Sequence, residues 1–116
     1  MAFHGVNLQQ FSVNTIKMGD GINFPNKGSK VKVHYDAYLP DGKKFKSSRD
    51  LGETFDFTLG RGEVIKGWDE ALNQMSLGER ARVVCPPGYG YGAKGFPGSV
   101  QPGQSLIFDI ELLSFN

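Results

Sequence analysis

The chain has 116 residues, the size of one domain that buries roughly two-thirds of its unfolded surface. Lysine and arginine total 13 against 12 acidic residues, and the net charge of +1 excludes a strong general attraction to nucleic acid or acidic membranes. The single cysteine, Cys85, excludes an internal disulfide and a cysteine-based zinc site, so we expect a small buried side chain in a reducing compartment.

The N-terminus and the lengths of the apolar runs indicate where in the cell the protein is expected. Residues 1–7 lack the apolar core of a signal peptide, and no apolar run reaches the roughly 20 residues that cross a bilayer. We therefore expect a cytoplasmic protein with no membrane partner. The 16 glycines and nine phenylalanines indicate many turns around an aromatic interior.

Alternation of apolar and polar residues predicts strands in the first half of the chain. They are residues 11–16, residues 30–39, a stretch that carries Phe45, and residues 55–59. A turn at Asp41-Gly42 precedes the Phe45 stretch, and residues 47–54 are predicted to form a loop. The clearest strand, residues 30–39, has a predicted core face of Val31, Val33, Tyr35, Ala37 and Leu39.

The second half holds the one predicted helix, at residues 63–75, followed by a stop signal at Gly78. Its apolar stripe is Val64, Ile65, Trp68, Ala71, Leu72 and Met75. A helix of about a dozen residues is marginal alone in water. The rest of the chain must therefore bury Trp68 and Leu72.

Two further strands, residues 80–85 and 105–114, flank a long loop at 86–103 that is rich in glycine and proline. Loops of this length in a compact domain are usually functional. Because only one helix separates two groups of strands, the predicted fold class is α+β. We expect a twisted antiparallel sheet, a half-barrel of about five strands, wrapped around one short helix.

The sequence motifs give little support for a nucleotide, metal or acid–base site. Gly90 to Gly95 matches the G-x-G-x-x-G pattern of dinucleotide sites, but Phe96-Pro97-Gly98 follows where a helix should begin. Neither His4 nor His34 has a nucleophile or carboxylate at a suitable spacing, so structural imidazoles are favoured. The lysines between residues 27 and 46 fit solvated strand edges.

Aromatic side chains come instead from every main predicted element. The set is Tyr35, Phe45, Phe55, Phe57, Trp68, Tyr91 and Phe108. Such a set either lines an apolar pocket for a small ligand or peptide, or simply fills the core. The pattern alone leaves both interpretations open.

Several runs together resemble the FKBP-type peptidyl-prolyl isomerases, the macrolide-binding immunophilins. They are Gly42-Lys43-Lys44-Phe45, Ser47-Ser48-Arg49-Asp50, Phe57 to Gly60, Glu63-Val64-Ile65-Lys66-Gly67-Trp68, Met75 to Ala81, Tyr89-Gly90-Tyr91-Gly92 and Leu106 to Leu113. They keep the family's order over nearly the whole chain, and so indicate a minimal single-domain member. Residues 1–8 lie outside the resemblance as an N-terminal extension, and residues 9–116 would form the isomerase domain.

The resemblance implies catalysis of cis/trans isomerisation at Xaa-Pro bonds, with no cofactor and no metal. Trp68 would form the pocket floor under the proline ring, and the Ile65 amide and Tyr91 hydroxyl would hold substrate or macrolide carbonyls. The pocket walls would be Tyr35, Phe45, Phe55, Val64, Ile65 and Phe108. The Glu63 carbonyl would accept from the ligand, and the long loop would supply a rim through Phe96 and Val100.

The sequence departs from the family pattern at this rim. Lys46 stands where members usually carry an aspartate that binds the ligand and orients the tyrosine matching Tyr35. Leu51 stands where an arginine is common, and Phe96 and Ser99 replace the more frequent histidine and isoleucine. We expect isomerase activity to survive and macrolide affinity to fall.

Three classes of function remain open from the sequence. The favoured one is an isomerase acting on proline-containing peptides and proteins, which also binds tacrolimus or rapamycin and, when loaded, a phosphatase or kinase. The second is a module that docks a protein partner with the same pocket and rim, with incidental catalysis. The third, carriage of a small apolar molecule, is disfavoured because no closed barrel is implied. We expect a monomer in each case.

Overall fold

The computed structural model describes residues 5–90 and 103–116. Within these ranges there are six strands, two helices and a 3₁₀ turn at Pro87–Tyr89. The strands are β1 Ser12–Lys17, β2 Lys30–Tyr38, β3 Lys44–Ser47, β4 Phe55–Thr58, β5 Arg80–Cys85 and β6 Leu106–Phe115. The helices are α1 Ser48–Leu51 and α2 Lys66–Gln74.

All six strands belong to one antiparallel sheet, in the order β1-β5-β6-β2-β3, with β4 also paired to β2. Strand β2 is central, since β6 lies along one edge while β4 and β3 share the other. Helix α2 packs on the sheet with its apolar side. The predicted α+β fold class is confirmed.

The core lies between the sheet and α2. The inner face of β2 is buried as predicted from Val31 to Ala37, whereas Leu39 follows the strand and is only partly buried. Strand β6 supplies Leu106, Phe108, Ile110 and Leu112, and α2 supplies Trp68, Ala71 and Leu72. These side chains give the short helix the apolar surface that it needs to be stable.

The helix predicted over residues 63–75 extends beyond the observed helix α2 at both ends. Ile65 is extended, with φ −61° and ψ 153°, and Met75 is extended at the other end. The side-chain carboxylate of Asp69 accepts a hydrogen bond from the Gly60 amide at 2.9 Å, which ties the first turn of α2 to the start of the loop that follows β4. Val64 and Ile65 therefore precede the helix, Val64 in a bend and Ile65 with an extended backbone.

The predicted loop at 47–54 contains helix α1. The Ser47 hydroxyl caps it by accepting from the Asp50 amide at 3.1 Å, and Gly52 ends it with φ 71°, a left-handed conformation that suits glycine. The Ser47-Ser48-Arg49-Asp50 run has the spacing of a helix start. That signal was present in the sequence and was missed.

Arg49 holds α1 against the outer face of the sheet. Its guanidinium contacts Asp36 of β2 at 2.7 Å and Glu111 of β6 at 3.2 Å. Asp36 also accepts from the Ser47 hydroxyl, while Ser48 bonds to the His34 ring at 2.9 Å. His34 thus has the structural role expected of it.

Cys85 is fully buried in β5, as predicted, and burial raises the pKa of its thiol to about 12. It lies beneath the start of α2, where Gly67 leaves room for its sulfur.

In the ranges that the structure describes, neither helix has the length and apolar character needed to cross a bilayer.

The segment before β1 contacts the chain on both sides of residues 91–102. The Leu8 carbonyl accepts from the Ser105 hydroxyl at 2.7 Å. The Phe11 ring stacks on Tyr89 with centroids 4.5 Å apart, and the Lys66 ammonium lies 4.9 Å from the same tyrosine ring. The domain boundary between residues 8 and 9 stays a prediction.

Candidate functional site

An open cavity of about 300 Å³ lies on the inner side of the sheet, beside the start of α2. Its walls are mainly aromatic and aliphatic, with one basic and one acidic side chain. The lining residues are Tyr35, Ala37, Phe45, Lys46, Phe55, Glu63, Val64, Ile65, Trp68 and Phe108. Cavities of this size that are largely apolar, with few polar groups, commonly bind small ligands.

Trp68 lies at the centre of an aromatic cluster. Its ring meets those of Tyr35, Phe55 and Phe108 nearly edge to face, with centroid distances of 4.9, 5.7 and 5.4 Å. These are favoured geometries for aromatic pairs, and each pair adds about 0.5–1.5 kcal/mol beyond the burial of its area. Only 5% of Trp68 is exposed, so neighbouring rings fix the part of it that lines the cavity.

The indole nitrogen of Trp68 is buried without a hydrogen-bond acceptor among the residues described. A buried donor without an acceptor costs about 1–3 kcal/mol relative to one that is paired. The aromatic rings around Trp68 at this end of the cavity carry no carbonyl or carboxylate oxygen that could accept its hydrogen bond. The described surroundings of the indole ring are therefore mainly aromatic.

A β-bulge explains how both Phe45 and Lys46 reach the cavity. In the β2–β3 pairing, Ala37 is opposite Lys46 but Tyr38 is opposite Lys44, so Phe45 is an extra residue without a partner. A regular strand would send two consecutive side chains to opposite faces, and a bulge breaks this alternation. The bulge thus allows Phe45 and Lys46 to line the same cavity.

The opposite wall comes from residues 63–65, just ahead of α2. The Glu63 carboxylate accepts from the Thr58 amide at 3.0 Å, linking this segment to the end of β4. Ile65 is extended, and its carbonyl accepts from the Trp68 amide at 3.0 Å to begin the helix. The helix start therefore orients the tryptophan and the two aliphatic side chains together.

Comparison with known proteins gives this cavity a context. The family model of the FKBP-type peptidyl-prolyl cis-trans isomerases matches residues 21–113. The chain belongs to this family.

Relatives within the FKBP family cover most of the chain. The peptidyl-prolyl cis-trans isomerase Fkbp12 of Drosophila melanogaster is 53% identical over 98 residues, which is 84% of this chain and 91% of that protein. The isomerase FKBP1A of Xenopus laevis is 54% identical over 101 residues, 87% and 94% of the two chains. FK506-binding protein 1A of Emericella nidulans is 51% identical over 104 residues, 90% and 96%. The enzyme class of the chain is thus peptidyl-prolyl cis-trans isomerase.

The cavity brings together most of the residues predicted for an FKBP-type site. Those lining it are Tyr35, Phe45, Lys46, Phe55, Glu63, Val64, Ile65, Trp68 and Phe108. Tyr91, Phe96 and Val100 lie outside the described residues. Phe57, from the wider aromatic set, is buried against Trp68 at a centroid distance of 5.9 Å and does not line the cavity.

Ala37 lines the cavity and was not predicted as a site residue. It stands two positions after Tyr35 on the same face of β2, and that spacing was the available signal. Its small side chain lies opposite Lys46, so the wall keeps an opening there. Leu51, another departure from the FKBP pattern, is 71% exposed and lies outside this cavity.

The polar groups of the site include no set suited to a metal. Over residues 5–90 and 103–116, no group of three histidine, cysteine or acidic side chains is arranged to hold an ion. The charges on the cavity wall are those of Lys46 and Glu63, and both side chains are exposed. The described part of the site can therefore enclose an apolar group and meet polar atoms at its edge.

Proposed function

We propose that the aromatic cavity is where this enzyme isomerises Xaa-Pro bonds. The observation that carries the proposal is the apolar cavity of about 300 Å³ with Trp68 fixed among three rings. The space suits a pyrrolidine ring, and the apolar indole surface suits its carbons. Substrates would be proline-containing peptides and proteins.

The chemistry needs neither a nucleophile nor a cofactor. Amide resonance sets the rotation barrier at about 18–20 kcal/mol, and twisting the C–N bond removes that resonance. Water stabilises the polar planar amide more than the twisted one. A site that excludes water and binds the twisted form more tightly therefore lowers the barrier without making or breaking a covalent bond.

We assign roles to the lining residues on this basis. Trp68 would support the proline ring, with Tyr35, Phe45, Phe55, Val64 and Phe108 around it. The backbone of Ile65 and the carbonyl of Glu63 would contact polar atoms of the ligand at the segment just ahead of α2. The Tyr91 hydroxyl and the rim residues Phe96 and Val100 complete the site predicted from the resemblance.

We further propose that the cavity binds macrolides such as tacrolimus and rapamycin. The relative from Emericella nidulans is named an FK506-binding protein, which supports this ligand class. The ammonium group of Lys46 on the wall supports reduced affinity, since it cannot accept a hydrogen bond where the family usually has a carboxylate. If a phosphatase or kinase binds the macrolide-loaded protein, the lower macrolide affinity would also reduce the amount of that complex.

The test is exchange spectroscopy on a proline peptide with catalytic amounts of protein. Phe45→Ala should lower kcat/KM by roughly tenfold, because an aromatic side chain that contacts the ligand contributes about 1.5 kcal/mol or more. Phe24→Ala is the matched control, since Phe24 is 42% exposed and does not line the cavity. Equal loss in both variants, with both folded by circular dichroism, would contradict the assignment.

The alternative is a protein-docking module that uses the same cavity and rim. The exposed side chain of Phe55, which lines the cavity, favours it. In that case the protein would bind a proline-containing partner without accelerating cis/trans exchange at catalytic concentration. We propose a monomer in the cytoplasm for either role, and sedimentation velocity tests the first part of that statement.

A further inference from the structure

The edge of β2 that faces β3 and β4 has a gap beside Tyr35. Strand β4 pairs with β2 as far as Val33, and the pairing with β3 starts at Asp36. His34 and Tyr35 lie between these two stretches, so neither strand of the described ranges pairs with them on this edge. On the opposite edge, Tyr35 pairs with Ile110 of β6. Because buried backbone polar groups are rarely left unpaired, another group is needed at the gap.

The hydroxyl of Ser48 closes this gap. It accepts a hydrogen bond from the Tyr35 amide at 2.7 Å and donates one to the Tyr35 carbonyl at 3.3 Å. Ser48 is the first residue of α1 and is 4% exposed. Nδ1 of His34 lies 2.9 Å from the same hydroxyl oxygen. One side chain therefore takes the place of a strand residue and pairs both backbone groups of Tyr35.

Ion pairs on the outer face of the sheet hold Ser48 in this place. Arg49 follows Ser48 in α1, and its guanidinium contacts the Asp36 carboxylate at 2.7 Å and the Glu111 carboxylate at 3.2 Å. Helix α1 has only four residues, and a helix of this length is not stable without such contacts. Strands β2 and β6 thus determine where the Ser48 hydroxyl lies.

The ring of Tyr35 lines the cavity on the inner side of the sheet. Its centroid lies 4.9 Å from that of Trp68 and 5.9 Å from that of Phe55, and both pairs are nearly edge to face. A shift of the Tyr35 backbone would move this ring relative to both neighbours. Ser48 does not line the cavity, so its connection to the site is through the Tyr35 backbone.

We propose that Ser48 is a positioning residue for the isomerisation. Its hydroxyl fixes the backbone of Tyr35 at the gap in β2, and this sets the place of the tyrosine ring on the cavity wall. The proposal rests on the proposed function, because it requires the substrate proline to bind beside that ring. Ser48 itself does not touch the substrate.

The first test compares kcat/KM for a proline peptide at a temperature where circular dichroism shows every variant folded. Ser48→Ala should lower kcat/KM roughly three- to tenfold, less than the loss of about 100-fold that a misplacement of about 1 Å can cause. Ser48→Thr keeps a hydroxyl and should retain most of the activity. Ser76→Ala is the matched control, because Ser76 is 3% exposed, accepts from the Gly21 amide at 3.0 Å and lies outside the cavity. It should keep the wild-type kcat/KM.

A double variant shows whether Ser48 acts through Tyr35. In the Tyr35→Leu background, adding Ser48→Ala should change kcat/KM by less than about twofold, because the ring that Ser48 positions is gone. Hydrogen exchange of the Tyr35 amide gives a readout that does not depend on activity. In Ser48→Ala this exchange should be faster than the change in global stability explains, whereas in Ser76→Ala it should follow global stability alone.

The outcomes separate the two proposals. A wild type that does not accelerate cis/trans exchange contradicts the proposed function, while the exchange of the Tyr35 amide still reports on its bond to Ser48. Wild-type kcat/KM in Ser48→Ala overturns the positioning role. Equal losses in Ser48→Ala and Ser76→Ala, or a full further loss when Ser48→Ala is added to Tyr35→Leu, also overturn it.

Discussion

Gly67 allows α2 to approach β5, and replacing it by alanine should destabilise the protein. A Cβ atom at this position would lie 2.3 Å from the Cys85 sulfur and 3.2 Å from the Tyr89 carbonyl oxygen. The first distance is far inside van der Waals contact, and Cys85 is fully buried with little space into which to turn. Helix α2 or the sulfur must therefore move.

The size of the effect follows from two opposing terms. Overpacking a core by one methyl group costs about 1–3 kcal/mol. Alanine in place of glycine in a helix gains about 0.4–1 kcal/mol, mainly by restricting the unfolded chain. The free energy of unfolding should therefore fall by roughly 1–2 kcal/mol in Gly67→Ala, taking the middle of these ranges.

A double variant separates the clash from other causes. Cys85→Ala removes the sulfur and leaves its Cβ atom 3.5 Å from the added carbon, which is an ordinary contact. The single variant Cys85→Ala should lose about 1 kcal/mol, the value of one small buried group. Gly67→Ala combined with Cys85→Ala should be more stable than the sum of the two losses predicts.

Urea unfolding followed by circular dichroism measures all three variants against the wild type. Isomerase activity gives a second readout, because the shifted helix carries Trp68. The reasoning is refuted if Gly67→Ala is as stable as the wild type, or if the two losses simply add.

Three further changes have definite expected outcomes. Lys46→Asp should raise macrolide affinity by roughly tenfold to more than a hundredfold, since a charged hydrogen bond contributes about 1.5–3 kcal/mol, and calorimetry that finds no gain would show the idea to be wrong. Glu79→Gln should lower the unfolding free energy by about 1–3 kcal/mol, measured by urea titration. The Glu79 carboxylate is only 8% exposed and accepts hydrogen bonds from the Ser76 amide and the Thr15 hydroxyl, each at 3.0 Å. Because burial raises the pKa of Cys85 from 9.0 to about 12, the folded state keeps the thiol proton, and stability that is complete below pH 9.0 is lost as the pH rises towards 12. Urea midpoints across this range should therefore fall less steeply in Cys85→Ala than in the wild type, and parallel curves would contradict the assignment.

The regular parts of the fold could be predicted from the sequence because their side-chain periodicity is simple. Residues Val31 to Ala37 alternate without interruption, and the structure buries the predicted face. The stripe that includes Trp68 and Leu72 marks the buried side of α2. In both cases one face of a regular element meets the core, and the sequence records which face that is.

The irregular parts of the site could not be read in the same way. Val64 and Ile65 continue the apolar spacing of the helix, but they precede it in a bend and an extended N-cap residue. The bulge at Phe45 depends on the pairing of β3 with β2, which no local pattern of β3 records. Periodicity identified which side chains are apolar, whereas tertiary pairing determined which of them share a wall.

The contacts of Leu8 and Phe11 have a practical consequence for anyone preparing this protein. Trimming the chain to the start of β1 would delete both contacts, the Leu8 carbonyl on Ser105 and the Phe11 ring on Tyr89. Purification handles attached at that end would precede these two contacts closely in sequence. Kinetic comparisons between preparations should therefore keep the leading residues identical, or carry any handle after Asn116 instead.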